Sequence, residues 1–306
     1  MEDERPALRA LSIGEIFDRA VTMYVRNFAV FTLIVLTLLV PFGILEFFYT
    51  DNAGDSLAVL IRAMEHPGSG PQYNGSQLGA LFGIGILALF LAPFVNNAVA
   101  VGIAAIYAGR KPSYRDGFAR VFARWGPLVA TSVLSMLVLI GSYVLLAFVL
   151  GIVMVVAILL ARGSVVLGVT FVICGVLLLI AVILFFIMLV LACAFALYAT
   201  TIEDSRPADA IGEAFRRIFN RREFPKALLI SLAYLALELG ALTLAGVLGV
   251  FILDLTHSNA LQVAVGTVFN AILTSFLTVL GAVYYYDVRT RTEGLDLEVA
   301  LQRITA

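Results

Sequence analysis

The chain has 306 residues, of which 61% are hydrophobic and only 13% charged, and its net charge is -1. A soluble globular domain carries roughly one quarter charged residues, so this composition excludes water as the main solvent and points to lipid. With acidic and basic residues in near balance, no nucleic-acid partner is expected.

In chain order, the charged start Met1 to Pro6 has mixed sign and no small-residue cleavage pattern after it, so the first apolar run is expected to stay as a membrane anchor. Residues 12–26 place Ser12 and Glu15 at capping-box spacing, then Phe17, Ala20, Val21 and Tyr24 on one face, which predicts an amphipathic helix. Apolar stretches long enough to cross a bilayer, the fifth interrupted by Glu238, predict six spans, near 28–49, 78–108, 127–160, 164–200, 227–254 and 262–286. The third and fourth stretches exceed one span but are too short for two and a turn, so each is expected to be one helix that tilts or extends past the bilayer. Between the first two spans, the stretch 50–77 reads as turn-rich, with a short surface helix over 57–64. Cys174 and Cys193 fall on one predicted helix, too far apart along it to pair.

Charge predicts the direction. With both termini cytoplasmic, 18 of the 20 basic residues lie inside and only Arg62 and Arg162 outside, as the positive-inside rule requires. Tyr107, Tyr198 and Tyr284 to Tyr286 then fall at the cytoplasmic ends of even spans, where ring and hydroxyl suit the headgroup level.

The segment before each odd span shares the string acid-x-Phe-x-Arg: Glu15 to Arg19, Asp116 to Arg120 and Glu213 to Arg217. The acid stands four before the base, the favoured order for a helical ion pair. Three parallel units follow, 11–109, 112–205 and 208–287, with a tail over 288–306; each is an interfacial helix, a span out and a span back. Any basic interfacial helix leading into a span converges on this pattern, so repetition and convergence both account for it. Either way, Arg19, Arg120, Arg124, Arg216, Arg217, Arg221 and Arg222 are the residues expected to meet anionic lipid, at about 1 kcal/mol per basic residue.

Glu238 stands mid-span, where a charge is expensive, so it is expected to be buried among helices, as a proton or cation site or as a neutral, hydrogen-bonded carboxyl. Asn96 and Asn97 follow Pro93 in the second span and Asn270 lies in the sixth; they read as interhelical glue or as a polar lining. Gly79-x-x-x-Gly83 permits close packing, and Asp287 at a helix end is expected to be solvated. No phosphate loop, nucleophile elbow or metal-spaced cluster is present, so no enzyme, cofactor or metal is expected.

The stretches LSIGEIFDRA at 11–20 and YYDVRTRTEGLDLE at 285–298 resemble the bacterial membrane proteins named after the membrane domain of glycerophosphoryl diester phosphodiesterase. In that family the membrane domain can be fused to a soluble hydrolytic barrel, which this chain lacks. The resemblance therefore implies the topology and a bacterial inner membrane, without phosphodiesterase activity. The fold expected is all-α, with six spans and three cytoplasmic interfacial helices in a single transmembrane domain, 1–306. The role expected is a scaffold or accessory protein that engages lipid or a membrane-protein partner; the alternative is a small-solute or ion transporter using Glu238 and the asparagines.

Overall fold

The computed structural model describes residues 9–50 and 75–294, and among them the regular structure is helical, with no strand. The helices are α1 (Ile13–Arg26), α2 (Phe28–Thr50), α3 (Gly75–Tyr107), α4 (Tyr114–Ala123), α5 (Trp125–Gly163), α6 (Val165–Ile202), α7 (Pro207–Ile218), α8 (Phe224–Thr256) and α9 (Asn259–Glu293). Six of them, α2, α3, α5, α6, α8 and α9, are long and apolar enough to cross a membrane. The chain is an all-α polytopic membrane protein. The expected surface helix over 57–64 lies outside the described residues.

Helices α5 and α6 are unbroken over 39 and 38 residues, joined through Ser164. At about 1.5 Å per residue each is roughly twice as long as the ~30 Å hydrocarbon layer, so each extends beyond it or tilts strongly. Cys174 and Cys193 both lie on α6, the first exposed and the second buried.

The three short helices differ in how they start. The Ser12 hydroxyl accepts the Glu15 N–H at 3.3 Å and the Glu15 carboxylate accepts the Ser12 N–H at 2.7 Å, a complete capping box. Ser113 supplies half of one, accepting the Asp116 N–H at 3.4 Å. Helix α7 has no side-chain cap; Pro207 opens it, where a missing N–H costs nothing. Their ends differ as well. Asn27 (φ -126°, ψ 24°) and Arg124 (φ -115°, ψ 22°) each end one helix and begin the next. The Asn27 carbonyl accepts from Val30 and Phe31, and that of Arg124 from Leu128. The third break is longer, running from Phe219 through Glu223, so the third amphipathic helix ends at Ile218.

Spans α3, α6, α8 and α9 share an ending. Each is followed by a residue in the left-handed region: Gly109 (φ 74°), Asp204 (φ 59°), His257 (φ 50°) and Gly294 (φ 66°). After α3 the Arg110 N–H reaches back to the Ala105 carbonyl at 2.8 Å, and after α6 the Ser205 N–H reaches Ala199 at 3.4 Å, which satisfies carbonyls that the helix end would leave open.

Packing divides the chain into two compact units, the described residues of Met1–Leu128 with Ala236–Ala306, and those of Val129–Leu235. In the first, α2, α3 and α9 pack together, with α1 laid on α9 and α4 on α3. Because lipid tails are as apolar as leucine, contact here depends on close fit rather than on escape from water. A Cβ added at Gly102 would stand 2.8 Å from the Phe31 ring, and one at Gly43 2.5 Å from the Thr267 hydroxyl. Gly79 and Gly83, expected to serve this purpose, have nothing within 4 Å of such a Cβ and make no close approach. Residues 277–288 of α9 are buried without a break. In the second unit α7 packs on α6, and the Thr131 and Thr200 hydroxyls bond at 2.9 Å between α5 and α6.

Candidate functional site

The three amphipathic helices obey one docking rule: each lies on the last span before it in a cyclic reading of the chain. Helix α4 lies on α3, α7 on α6, and α1, the first, on α9, the last. Aligned on Glu15, Asp116 and Glu213, the next residue (Ile16, Gly117, Ala214) is buried in all three, as is the residue five after the acid (Ala20, Val121, Ile218). Phe17, Phe118 and Phe215, expected to lead apolar faces that touch lipid or the bundle, are half-buried on the flank of that line. The acid-x-Phe-x-Arg string therefore marks the helix but not its core-facing residues.

Each dock uses different chemistry. On α9 the Asp287 carboxylate is fully buried; it accepts the Leu11 N–H at 2.6 Å and pairs with Arg291 at 3.1 Å, while Arg291 also donates to the Leu11 carbonyl. The expectation of a solvated Asp287 fails because α1 covers it, and its oxygens carry the entry to that helix. Nearby, the Arg19 side chain bonds the Tyr107 hydroxyl, whose ring stacks on Tyr286 at 4.4 Å between centroids. Tyr24 closes the far end of α1: its hydroxyl meets Ser275 and the Ile272 carbonyl, both at 2.9 Å, and Thr32 at 3.1 Å. On α3, Gly117 allows α4 to approach until a Cβ would sit 2.9 Å from the Ala98 carbonyl oxygen. On α6, Arg217 binds both oxygens of Glu203 at 3.0 Å and is 3.5 Å from Glu213.

The expected basic surface is thus divided. Arg216, Arg221 and Arg222 are exposed, and Arg19, Arg120 and Arg124 are half-buried. Arg217, expected at the lipid surface, is buried because the Glu203 carboxylate compensates its charge inside the dock. Glu213 and Arg217 form the helical ion pair that the spacing predicts. Glu15 instead engages Arg9 and the Ser12 N–H, and the Arg9 guanidinium, with Ser12 second, holds its carboxyl down at about 2.

The intramembrane polar residues do not converge on one place. Glu238 is exposed on α8, and among the described residues it has no hydrogen-bond or ion-pair partner. The expectation of a buried carboxyl fails because α8 packs only sparsely on the other helices and leaves Glu238 uncovered. Asn96 accepts from Thr278 at 3.4 Å and so does bond between α3 and α9. Asn97, fully buried, instead donates to the Pro93 carbonyl of its own helix at 2.8 Å. Asn270 is exposed and accepts from Thr274 one turn on. The tyrosines expected at the headgroup level are also more enclosed than that level implies: Tyr198, Tyr284, Tyr285 and Tyr286 are buried.

Compared with protein-family models, curated proteins and solved structures, the chain matches none.

Of the residues that hold the docks, the sequence singles out Asp287 alone, as a solvated helix end, and gives Leu11, Gly117, Glu203 and Arg291 no role. One signal for Asp287 and Glu203 exists in the sequence, since each is an acid at the end of a span where a solvated residue has no need to be acidic.

Proposed function

We propose that this chain is a non-enzymatic scaffold or accessory protein of a bacterial inner membrane, with six spans and both termini cytoplasmic. Its three amphipathic helices lie at the inner-leaflet interface and present basic residues to anionic lipid or to a membrane partner. The observation that carries this reading is the docking rule: α1, α4 and α7 are each fixed to the end of a span, and exposed arginines remain on their outer sides and hinges. The placement of 18 of 20 basic residues on one side supports the orientation. The resemblance of the two end segments to the phosphodiesterase membrane-domain family supports the same topology and membrane. The recurrent docks support three related units.

The transporter alternative needs polar groups gathered around a path. Glu238, Asn97 and Asn270 instead occupy separate places, and both asparagines are bonded within their own helices. A charged carboxylate at mid-membrane costs at least about 2.5 kcal/mol, which a path of this kind would have to offset. Reconstituted vesicles test the choice. On the scaffold reading no proton- or cation-dependent flux arises, and Glu238→Gln accumulates as well as wild type. A flux that the variant abolishes without loss of protein overturns it.

A further inference from the structure

We infer that the second and third amphipathic helices form two equivalent sites for one anionic phospholipid each; this rests on the lipid-engaging reading above and makes it local. The carrying observation is a repeated arrangement of three phenylalanine rings. In the second copy, Phe118 stacks on Phe122 (6.0 Å between centroids, 25° between planes), and Phe122 meets Phe94 of α3 at 6.0 Å and 40°. In the third, Phe215 stacks on Phe219 (5.6 Å, 24°), and Phe219 meets Phe185 of α6 at 5.6 Å and 42°. Two independently packed units thus reach the same ring angles at the same helix register. Shared helical periodicity alone does not produce this, because the partner rings Phe94 and Phe185 come from separate spans.

Both ring sets are left open rather than closed into a core. Phe122 is 59% exposed in one and Phe185 51% exposed in the other. Each is followed two residues after its second helical ring by an arginine, Arg124 or Arg221, in the break that leads to the next span. Trp125, the residue after Arg124, is 63% exposed; Arg222 holds the same place in the third copy. An open aromatic face with a hinge arginine two residues on matches a phospholipid in two parts. Upper acyl chain and glycerol lie on the rings, and the phosphate meets the guanidinium, which offers a planar donor fork. The first copy departs from this pattern: Val21 stands where Phe122 and Phe219 stand, and its ring contacts are instead edge-on ones of the hydrogen-bonded Tyr24 with Phe28 and Phe276. Two sites follow, not three.

Trp125 is the only tryptophan, so its fluorescence reports the first site without labelling. The full chain is reconstituted in phosphatidylcholine vesicles with equal small fractions of brominated phosphatidylglycerol or brominated phosphatidylcholine. Bromine on the anionic lipid is expected to quench Trp125 as if that lipid were enriched about fivefold, corresponding to about 1 kcal/mol for one basic residue near the surface. Arg222→Trp in a Trp125→Phe background reports the second site, and the same preference is expected there. Arg124→Gln and Arg221→Gln remove the preference at the first and second reporter respectively, while zwitterionic quenching persists. Equal quenching by both lipids in the unaltered chain overturns the first site, and equal quenching in the Arg222→Trp reporter overturns the second. Lipid extracted with the purified protein separates this from the broader reading. Anionic enrichment in the extract with equal quenching removes the two sites alone; absence of enrichment removes the lipid-engaging reading as well.

Discussion

The carboxylate of Asp287, near the end of the last helix, accepts the backbone N–H of Leu11, just before the first, at 2.6 Å across 276 residues of sequence. Asp287 is 2% exposed, and its second contact, Arg291, returns to the Leu11 carbonyl, so one residue's donor and acceptor are both held by α9. Replacing Asp287 by Ala leaves a buried N–H without an acceptor and Arg291 without its carboxylate. The expected cost is about 2 kcal/mol. It is read as a lower midpoint in thermal unfolding of the solubilised protein, with faster tryptic cleavage at Arg19 and Arg26. Unchanged cleavage of Asp287→Ala would show that α1 is held elsewhere.

The start of α1 carries a pH dependence of defined sign. Glu15 lies outside the spans, and its bonds to Arg9 and Ser12 lower its pKa from 4.5 to about 2. A lowered pKa means that the stabilisation is complete above the unfolded value and is lost as pH falls through the folded one. The capping box should therefore persist at pH 4 and open only on approach to pH 2. A side-chain carboxyl titration of Glu15 by NMR checks this; a midpoint near 4.5 would mean that the bonds are absent in solution.

At the third dock the fork of Arg217 is matched to both oxygens of Glu203, with side chains 6% and 14% exposed. Arg217→Lys keeps the charge but loses the paired geometry, and is expected to destabilise by about 1–2 kcal/mol. Arg217→Ala strands the carboxylate and is expected to cost about 3 kcal/mol. A double-mutant cycle with Glu203→Gln reads the coupling, and strict additivity would contradict a direct pair.

Gly117 and Gly83 are expected to behave oppositely. Gly117→Val drives a branched side chain into the Ala98 carbonyl and should lower the unfolding midpoint by the equivalent of about 1–3 kcal/mol. Gly83→Ala meets open space and gains about 1 kcal/mol of helix propensity at most. The reverse ranking in thermal unfolding would mean that α3 packs through its first half instead.

The spans are legible because hydrophobic length is a property of a segment by itself, and the same holds for Ser12 with Glu15. The docks are not, because their residues gain meaning only from partners far along the chain. Asp287 reads as solvated from its place at a helix end, yet Leu11 and α1 cover it. Arg217 reads as a lipid contact from its neighbours Arg216, Arg221 and Arg222, yet its angular position on α7 faces Glu203. Glu238 shows the converse error: the cost of a buried charge argues for partners, but sequence carries no information about how sparsely α8 packs on the other helices. The phenylalanines stand out as a string, and only the rings they meet, Phe94 and Phe185, distinguish copies two and three from copy one.

The central claim, that the amphipathic helices and their hinge arginines face the cytoplasm, is tested most directly by two single cysteines. His257 in the α8–α9 connection and Arg222 in the α7–α8 connection are both exposed, so each accepts a reporter once Cys174 and Cys193 are replaced by Ser. A membrane-impermeant maleimide added to intact cells should label His257→Cys at once and Arg222→Cys only after the membrane is opened. Immediate labelling of Arg222→Cys, with His257→Cys protected, would invert the topology and remove the inner-leaflet assignment.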